Sequence, residues 1–187
     1  MTTTSPKVLH RKSVRLQTYD YAMAGAYFIT IVTKDRKCFF GEVVDVEIKL
    51  NHWGQIVQDQ WENSTQIRME IDLDAFIVMP NHIHGIVVIA NGSGRATGRS
   101  PLQSGPSRRS LGAFVGGFKS IVTKRINALR GLPGKAVWQR NYFEHIIRNE
   151  QSLNRIRRYI LDNPVRWEFD RDNPSSIKPE TEYAWLR

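Results

Sequence analysis

Two histidines are the residues of this chain whose type and spacing first suggest chemistry. His82 and His84 open an apolar run, and side chains at i and i+2 of a strand project from the same face. Two adjacent imidazoles can hold a divalent metal ion such as Mg²⁺ or Mn²⁺ and leave positions open for phosphate oxygens and water. The alternative is a pair in which one imidazole is hydrogen-bonded in the core and the other faces solvent.

A tyrosine and an asparagine about 75 residues downstream form the second candidate group. Tyr159 and Asn163 are four positions apart in a predicted helix and therefore share a face. A phenol, with a pKa of about 10, needs a metal ion or nearby cations before it can attack a phosphate. Tyr142 is the competing nucleophile, although it precedes an extended segment. The structural alternative for Tyr159 is a packed ring with a hydrogen-bonded hydroxyl, and for Asn163 a helix-terminal amide.

The charge of the chain indicates a polyanionic partner. Lys and Arg number 27 against 18 Asp and Glu, which gives a net charge of +9 and a pI near 9.9. Clustered cations gain affinity for nucleic acid by releasing its condensed counterions. The cations that we predict as nucleic-acid contacts are Lys119, Lys124, Arg125, Arg148, Arg155 and Arg158. The alternative is that they are solvated charges on exposed helical faces.

The first half of the chain reads as a strand, a hairpin, a helix and a strand pair. These elements are predicted at residues 26–33, 38–50, from 51 onward, 69–80 and 82–90. The first is rich in β-branched and aromatic residues, which predicts a central, buried strand. Pro80-Asn81 has turn chemistry, so His82 should begin the second strand of a hairpin.

The second half of the chain reads as a helix, an extended segment and a final helix. These elements are predicted at residues 111–129, 142–147 and 149–163, with Pro164 ending the last. Ser110 is the predicted N-cap of the first helix. Gly116 and Gly117 are costly inside a helix and predict a close approach of another backbone or a break. The element order predicts an α+β fold, a ferredoxin-like antiparallel sheet with helices packed on one face.

Length and composition indicate one domain in a reducing compartment. A chain of 187 residues is enough for one core, which we place at 1–168, with a flexible Ser/Gly/Arg-rich insertion at 91–109 and a tail at 169–187. Cys38 is the single cysteine, which excludes an internal disulfide. No apolar run approaches the roughly 20 residues of a membrane helix, and no secretory signal is recognisable. We therefore expect a cytoplasmic protein without a membrane span.

Five motifs in order resemble the REP-associated tyrosine transposases, which are relatives of the single-tyrosine HUH transposases. The motifs are YFIT at 27–30, MPNHIHG at 79–85, FKS at 118–120, VWQRNYFEHIIRN at 137–149 and RYILDNP at 158–164. The resemblance implies an HUH-type fold and a divalent metal. By motif, His82 and His84 would bind the metal, Tyr159 would be the nucleophile and Asn163 the third protein ligand. Segments 91–109 and 167–187 depart from the pattern.

The resemblance implies a metal-dependent single-stranded DNA endonuclease and strand transferase that cuts near REP-like hairpins. Its products would be a 5′-phosphotyrosine adduct and a free 3′-OH, and the protein would be a monomer or a homodimer. One alternative is a non-catalytic binder of structured single-stranded DNA or RNA. Another is a metal phosphoesterase that uses activated water, which would leave Tyr159 without a role.

Overall fold

The computed structural model describes residues 24–90 and 110–176. The predicted insertion at 91–109 and most of the predicted tail lie outside the described residues. The strands are β1 (Gly25–Val32), β2 (Gly41–Val44), β3 (Glu47–Leu50), β4 (Ile71–Val78), β5 (His82–Ile89) and β6 (Phe143–Ile147). The helices are α1 (His52–Glu62), α2 (Ser64–Ile67), α3 (Leu111–Arg130) and α4 (Glu150–Leu161). None of these helices is both long and apolar enough to cross a membrane.

The main sheet has four strands in the order β4-β5-β1-β6, and every pair is antiparallel. β1 is central, as its composition predicted, and β2 and β3 form the predicted separate hairpin. The predicted α+β fold with an antiparallel sheet is therefore confirmed.

The helices lie on both faces of the sheet, which differs from the expected packing on one face. Tyr27 and Ile29 of β1 pack in a core that includes residues of α1 and α3. Phe28 between them packs on the opposite face with Ile156 and Ile160 of α4. The central strands are buried on both sides, so they read as continuous apolar runs and carry no alternation that would reveal a second layer.

Capping residues define both ends of α3, and its N-cap is the predicted Ser110. Ser110 begins α3 by accepting a hydrogen bond from the backbone N–H of Ala113. Gly131, at a φ of 64°, ends this helix in the left-handed conformation. The expected break or close approach at Gly116 and Gly117 is wrong for the described residues: α3 runs through both exposed positions, and a Cβ added there would meet no described atom within 4 Å.

The β4–β5 hairpin aims the two histidines at α4. Pairing places His82 opposite Val32 and His84 opposite Thr30, while Ile83 between them packs in the core with α1 and α3. The next residue of β5 is Gly85, and a larger residue would clash there because its Cβ would lie 2.5 Å from the Trp61 ring. The imidazoles consequently lie on the α4 face of the sheet.

Candidate active site

The side chains of His82 and His84 are buried, and their Nε2 atoms face each other at 3.1 Å. The Nδ1 atom of each ring lies within hydrogen-bond distance of a neighbouring side chain. His82 Nδ1 lies 2.9 Å from Asn81 Oδ1, and His84 Nδ1 lies 2.9 Å from Thr30 Oγ1. Outer hydrogen bonds of this kind orient metal-binding imidazoles, and here they direct both Nε2 atoms to one point.

Burial lowers the pKa of both histidines. The pKa of His84 falls well below its usual value, because the neighbouring His82 adds to the effect of burial. For His82, the carboxylates of Asp170 and Asp172 partly oppose the effect of burial. Both imidazoles are therefore held towards the neutral state, which is the form that binds metal ions.

The helix α4 brings Tyr159 to the histidine pair. The Tyr159 hydroxyl lies 3.4 Å from His84 Nε2, and its ring meets Phe28 edge to face with centroids 6.0 Å apart. Tyr142, the competing nucleophile, packs instead against the core on the other face of the sheet. The structure thus places Tyr159 beside the histidines and Tyr142 away from them.

Asn163 is 1% exposed and lies in the turn after α4, so the prediction that the helix extends to residue 163 is wrong. Its Nδ2 donates to Asp170 Oδ2 at 3.3 Å. Its Oδ1 is buried and has no hydrogen bond of standard geometry to any described residue, although the amide lies close enough to His82 to favour the protonated imidazole. A buried, unsatisfied carbonyl oxygen next to two imidazoles is an available ligand for a cation.

Asp170 is a candidate ligand that the sequence analysis missed. Its Oδ2 lies 4.0 Å from His82 Nε2, and the ligand atoms of Asp170, His82 and His84 all lie within 4.8 Å of one another. All three residues are buried, so the group could bind a metal ion. The segment around Asp170 has no periodicity that would predict its position. The one feature of the sequence that could have indicated a ligand there is the pair of acidic residues Asp170 and Asp172 in a basic chain.

The segment that carries Asp170 is fastened to the histidine hairpin. Asn81 is fully buried, and its Nδ2 donates to the backbone oxygens of Arg36 at 2.9 Å and Asp172 at 2.6 Å. Arg36 Nε also lies 3.3 Å from Asp172 Oδ1, and Asp172 N donates to Asp170 Oδ1 at 2.6 Å. The domain boundary at 168 stays a prediction, but the residues just beyond it pack against the site.

A cleft of about 550 Å³ opens beside Tyr159 and is hereafter the tyrosine cleft. Its lining residues are Gln151, Asn154, Arg155, Arg158, Tyr159, Asp162 and Arg166. The guanidinium of Arg166 lies 6.0 Å from the centre of the Tyr159 ring. Arg155 and Arg158 are exposed, as is Arg148 just before α4. Three of the six predicted nucleic-acid contacts therefore lie on this side of the sheet.

The other three predicted contacts lie on α3, on the opposite face of the sheet. Lys124 and Arg125 are exposed, and Arg125 lies 4.0 Å from Asp59. Lys119 is partly buried, and its Nζ donates to the backbone oxygens of Gln139 at 2.6 Å and Arg140 at 3.1 Å. Burial lowers the pKa of Lys119 to about 8. The six cations thus divide between two separate surfaces.

Known proteins match almost the whole chain. An uncharacterized protein of Haemophilus influenzae is 40% identical over 169 residues, which cover 86% of this chain and 92% of the relative. A second protein of that organism, named "Putative REP-associated tyrosine transposase", is 24% identical over 174 residues, covering 86% of this chain and 89% of the relative. These matches show a resemblance to the REP-associated tyrosine transposases. No family model matches it.

A solved structure of a REP-associated tyrosine transposase bound to a REP hairpin has the same fold. The TM-score is 0.54 at 20% sequence identity, over 83% of this chain and 74% of the other. At that identity the likeness concerns the fold alone. The antiparallel sheet with packed helices is thus the fold of a REP-associated tyrosine transposase.

Proposed function

We propose that this chain is a REP-associated tyrosine transposase, a metal-dependent endonuclease and strand transferase acting on single-stranded DNA near hairpins. The observation that carries the proposal is the 3.4 Å contact between the Tyr159 hydroxyl and Nε2 of buried His84. It brings the proposed nucleophile to the proposed metal ligands across 75 residues of sequence. The solved relative bound to a REP hairpin supports hairpin DNA as the substrate.

The donor atoms of the site fit a divalent cation such as Mg²⁺ or Mn²⁺. His82 and His84 would supply two neutral imidazoles, Asp170 a carboxylate and Asn163 an amide oxygen. Oxygen ligands suit these hard cations, and imidazoles favour Mn²⁺ over Mg²⁺. When bound, the ion would act as a Lewis acid on the scissile phosphate.

In the proposed reaction, the DNA phosphate is transferred to the side chain of Tyr159. Tyr159 Oη attacks phosphorus, the bond from phosphorus to O3′ breaks, and its electron pair stays on O3′. This oxygen takes up a proton while the proton of the phenol leaves to water in the tyrosine cleft. The products are a 5′-phosphotyrosine and a free 3′-OH, and attack by a second 3′-OH reverses the step to join new strands.

The cations of the tyrosine cleft assist this chemistry. Arg155, Arg158 and Arg166 line the cleft with Tyr159. Positive charge close to a phenol favours its ionised form, which is the stronger nucleophile. The same guanidiniums neutralise the incoming phosphates, and exposed Arg148 extends this basic surface at the start of α4.

A covalent-adduct assay tests the proposal. The protein is incubated with Mn²⁺ and a 5′- or 3′-labelled single strand that carries a hairpin, and the products are separated on a denaturing gel. We expect a covalent protein–DNA band that Tyr159→Phe abolishes and the control Tyr142→Phe retains. Cleavage without an adduct would indicate activated water, and binding without cleavage would indicate the non-catalytic binder.

A further inference from the structure

A second cleft lies between α3 and the loop 131–140, on the side of the sheet away from the histidines. We call it the α3 cleft; its volume is about 820 Å³. The α3 residues that line it are Gly116, Lys119, Ser120, Thr123, Lys124, Asn127 and Ala128. The loop adds Trp138 and Arg140, and no acidic side chain among the described residues lines it. An uncompensated basic cleft of this size is suited to an anionic ligand.

Two buried polar groups in the wall of the α3 cleft have no hydrogen-bond partner among the described residues. Asn127 is 5% exposed and donates from Nδ2 to the Lys135 backbone oxygen, but no described residue donates to its Oδ1. Trp138 is 6% exposed, and its Nε1 donates to no described residue. Leaving such a group unsatisfied costs about 1–3 kcal/mol. Both atoms lie beneath the surface of the cleft wall and are not exposed to a ligand.

Hydrogen bonds from α3 side chains hold the loop wall of the α3 cleft in place. Lys119 Nζ binds the backbone oxygens of Gln139 and Arg140, and Asn127 binds that of Lys135. Apolar atoms of the loop, from Val137 and Trp138, face the same space. The loop is therefore a preformed surface, which lowers the entropic cost of binding a ligand.

The α3 cleft and the histidine site both lie near the end of β1, on opposite faces of the sheet. β1 ends there opposite His82, and the backbone of Gln139 donates to that of Val32. In the turn that follows β1, Lys34 lines a hollow that shares Trp138 with the α3 cleft. Arg36, two residues on, reaches the active-site side. A polynucleotide can cross this edge without passing through the core.

We propose that the α3 cleft binds a segment of the single-stranded DNA that flanks the cleaved phosphate. Its phosphates lie against Lys124 and Arg140, and a base lies against the apolar loop wall formed by Val137 and Trp138. The strand reaches the cleft over the turn that carries Lys34. This inference rests on the proposed function, because it assigns a second contact of the same substrate.

The adjacent glycines of α3 provide a matched pair of variants. Gly116 lines the α3 cleft and Gly117 does not. Both are exposed, and a Cβ at either position meets no described atom within 4 Å. Gly116→Glu and Gly117→Glu therefore change net charge and helix propensity equally, and only the first introduces a carboxylate at the cleft. Affinity for oligothymidylate is measured by fluorescence anisotropy without metal, so that no cleavage occurs.

We expect Gly116→Glu to weaken binding of an oligothymidylate of about 20 nucleotides about tenfold, and Gly117→Glu to change it less than about twofold. Lys124→Glu should reproduce the loss and reduce the slope of log affinity against log salt by about 0.7. With about 6 nucleotides, which fill one site only, Gly116→Glu should have a smaller effect. Equal effects of the two glycine variants, or none, would overturn the inference.

Two further outcomes separate the inference from the proposed function. A selective effect of Gly116→Glu in a protein that forms no covalent adduct would support the α3 cleft and refute the proposed catalysis. An adduct lost in Tyr159→Phe, with no selective effect of Gly116→Glu, would support the catalysis and refute the cleft.

Binding of dTMP that Gly116→Glu weakens as much as it weakens the long strand would identify a mononucleotide site and overturn the polynucleotide assignment.

Discussion

At the level of single residues, hydrogen bonds determine which ring nitrogens of the histidine pair carry protons. Asn81 uses its Nδ2 to donate to two backbone oxygens, so its Oδ1 accepts and His82 Nδ1 must carry the proton. His82 Nε2 is then a lone pair, and His84 Nε2, 3.1 Å away, donates to it. With that tautomer, the Thr30 hydroxyl donates to His84 Nδ1. Binding a metal through both Nε2 atoms therefore requires His84 to move its proton to Nδ1, where Thr30 can accept it.

The prediction at this scale concerns Asp170. Asp170→Asn keeps the shape of the side chain and removes its charge, so we expect affinity for Mn²⁺ to fall about tenfold or more, since ligand charge sets the affinity of carboxylate sites. Titration followed by electron paramagnetic resonance measures free Mn²⁺ without any DNA. Asp162→Asn is the control, because Asp162 is exposed at the rim of the tyrosine cleft. Unchanged Mn²⁺ affinity in Asp170→Asn would remove this residue from the ligand set.

The site residues differ in how far local sequence could predict them. The placement of His82 and His84 on one face of a strand requires only the strand period. Asn163, in contrast, lies past the end of α4, and the helix period that predicted its place beside Tyr159 does not extend to it. The distance between the histidine pair and Tyr159 depends on how the last helix packs on the sheet. The motifs of the resemblance predicted that these residues form one site, whereas periodicity alone could not. Asp170 lies in an irregular segment whose path depends on the turn after α4, so no local pattern predicted its position.

At the level of elements, periodicity predicted each strand and helix that forms the site but not how the helices divide between the two faces. α1 and α3 occupy one face, and α4 covers the other with Ile156 and Ile160. An apolar stripe on a helix indicates that it packs, not on which side of the sheet. This division has a functional consequence, because it places the basic surfaces of α3 and α4 on opposite faces.

The β2–β3 hairpin carries a conformational cost that a single substitution should relieve. Its two connecting residues, Asp45 and Val46, have φ values of 52° and 59°, as in the tight turns that favour Asn-Gly or Asp-Gly. A β-branched residue is costly in this left-handed region. Val46 is 57% exposed, so Val46→Gly removes little packing, and we expect the free energy of unfolding to rise by about 1 kcal/mol.

Urea denaturation measures this change, and the same substitution in the adjacent strand is its control. Val43→Gly lies within β2 and should lower the free energy of unfolding, because glycine loses more backbone entropy in a strand and contributes no side chain to the hairpin. A Val46→Gly protein less stable than the parent chain would show that the left-handed turn does not carry the expected cost.

At the level of the whole molecule, the net charge is +9, but the individual cations differ in whether an acidic side chain already pairs with them. Some cations of α4 face solvent beside the tyrosine cleft, as Arg155 and Arg158 do. Arg157, between them, is tied to Asp74 by two hydrogen bonds of 2.9 and 2.6 Å. Composition predicted the attraction to a polyanion, but it could not tell which cations are already neutralised by the fold.

This difference predicts how salt should act on DNA binding by single variants that change net charge equally. Arg155→Gln and Arg158→Gln should each lower the slope of log affinity against log salt by about 0.7, the value for one phosphate contact on a single strand. Arg157→Gln should leave the slope nearly unchanged, because its guanidinium already pairs with Asp74. The measurement is anisotropy over a range of salt concentrations, with thermal melting to confirm folding. If all three variants lowered the slope equally, the attraction would come from the overall field of the protein and not from contacts beside Tyr159.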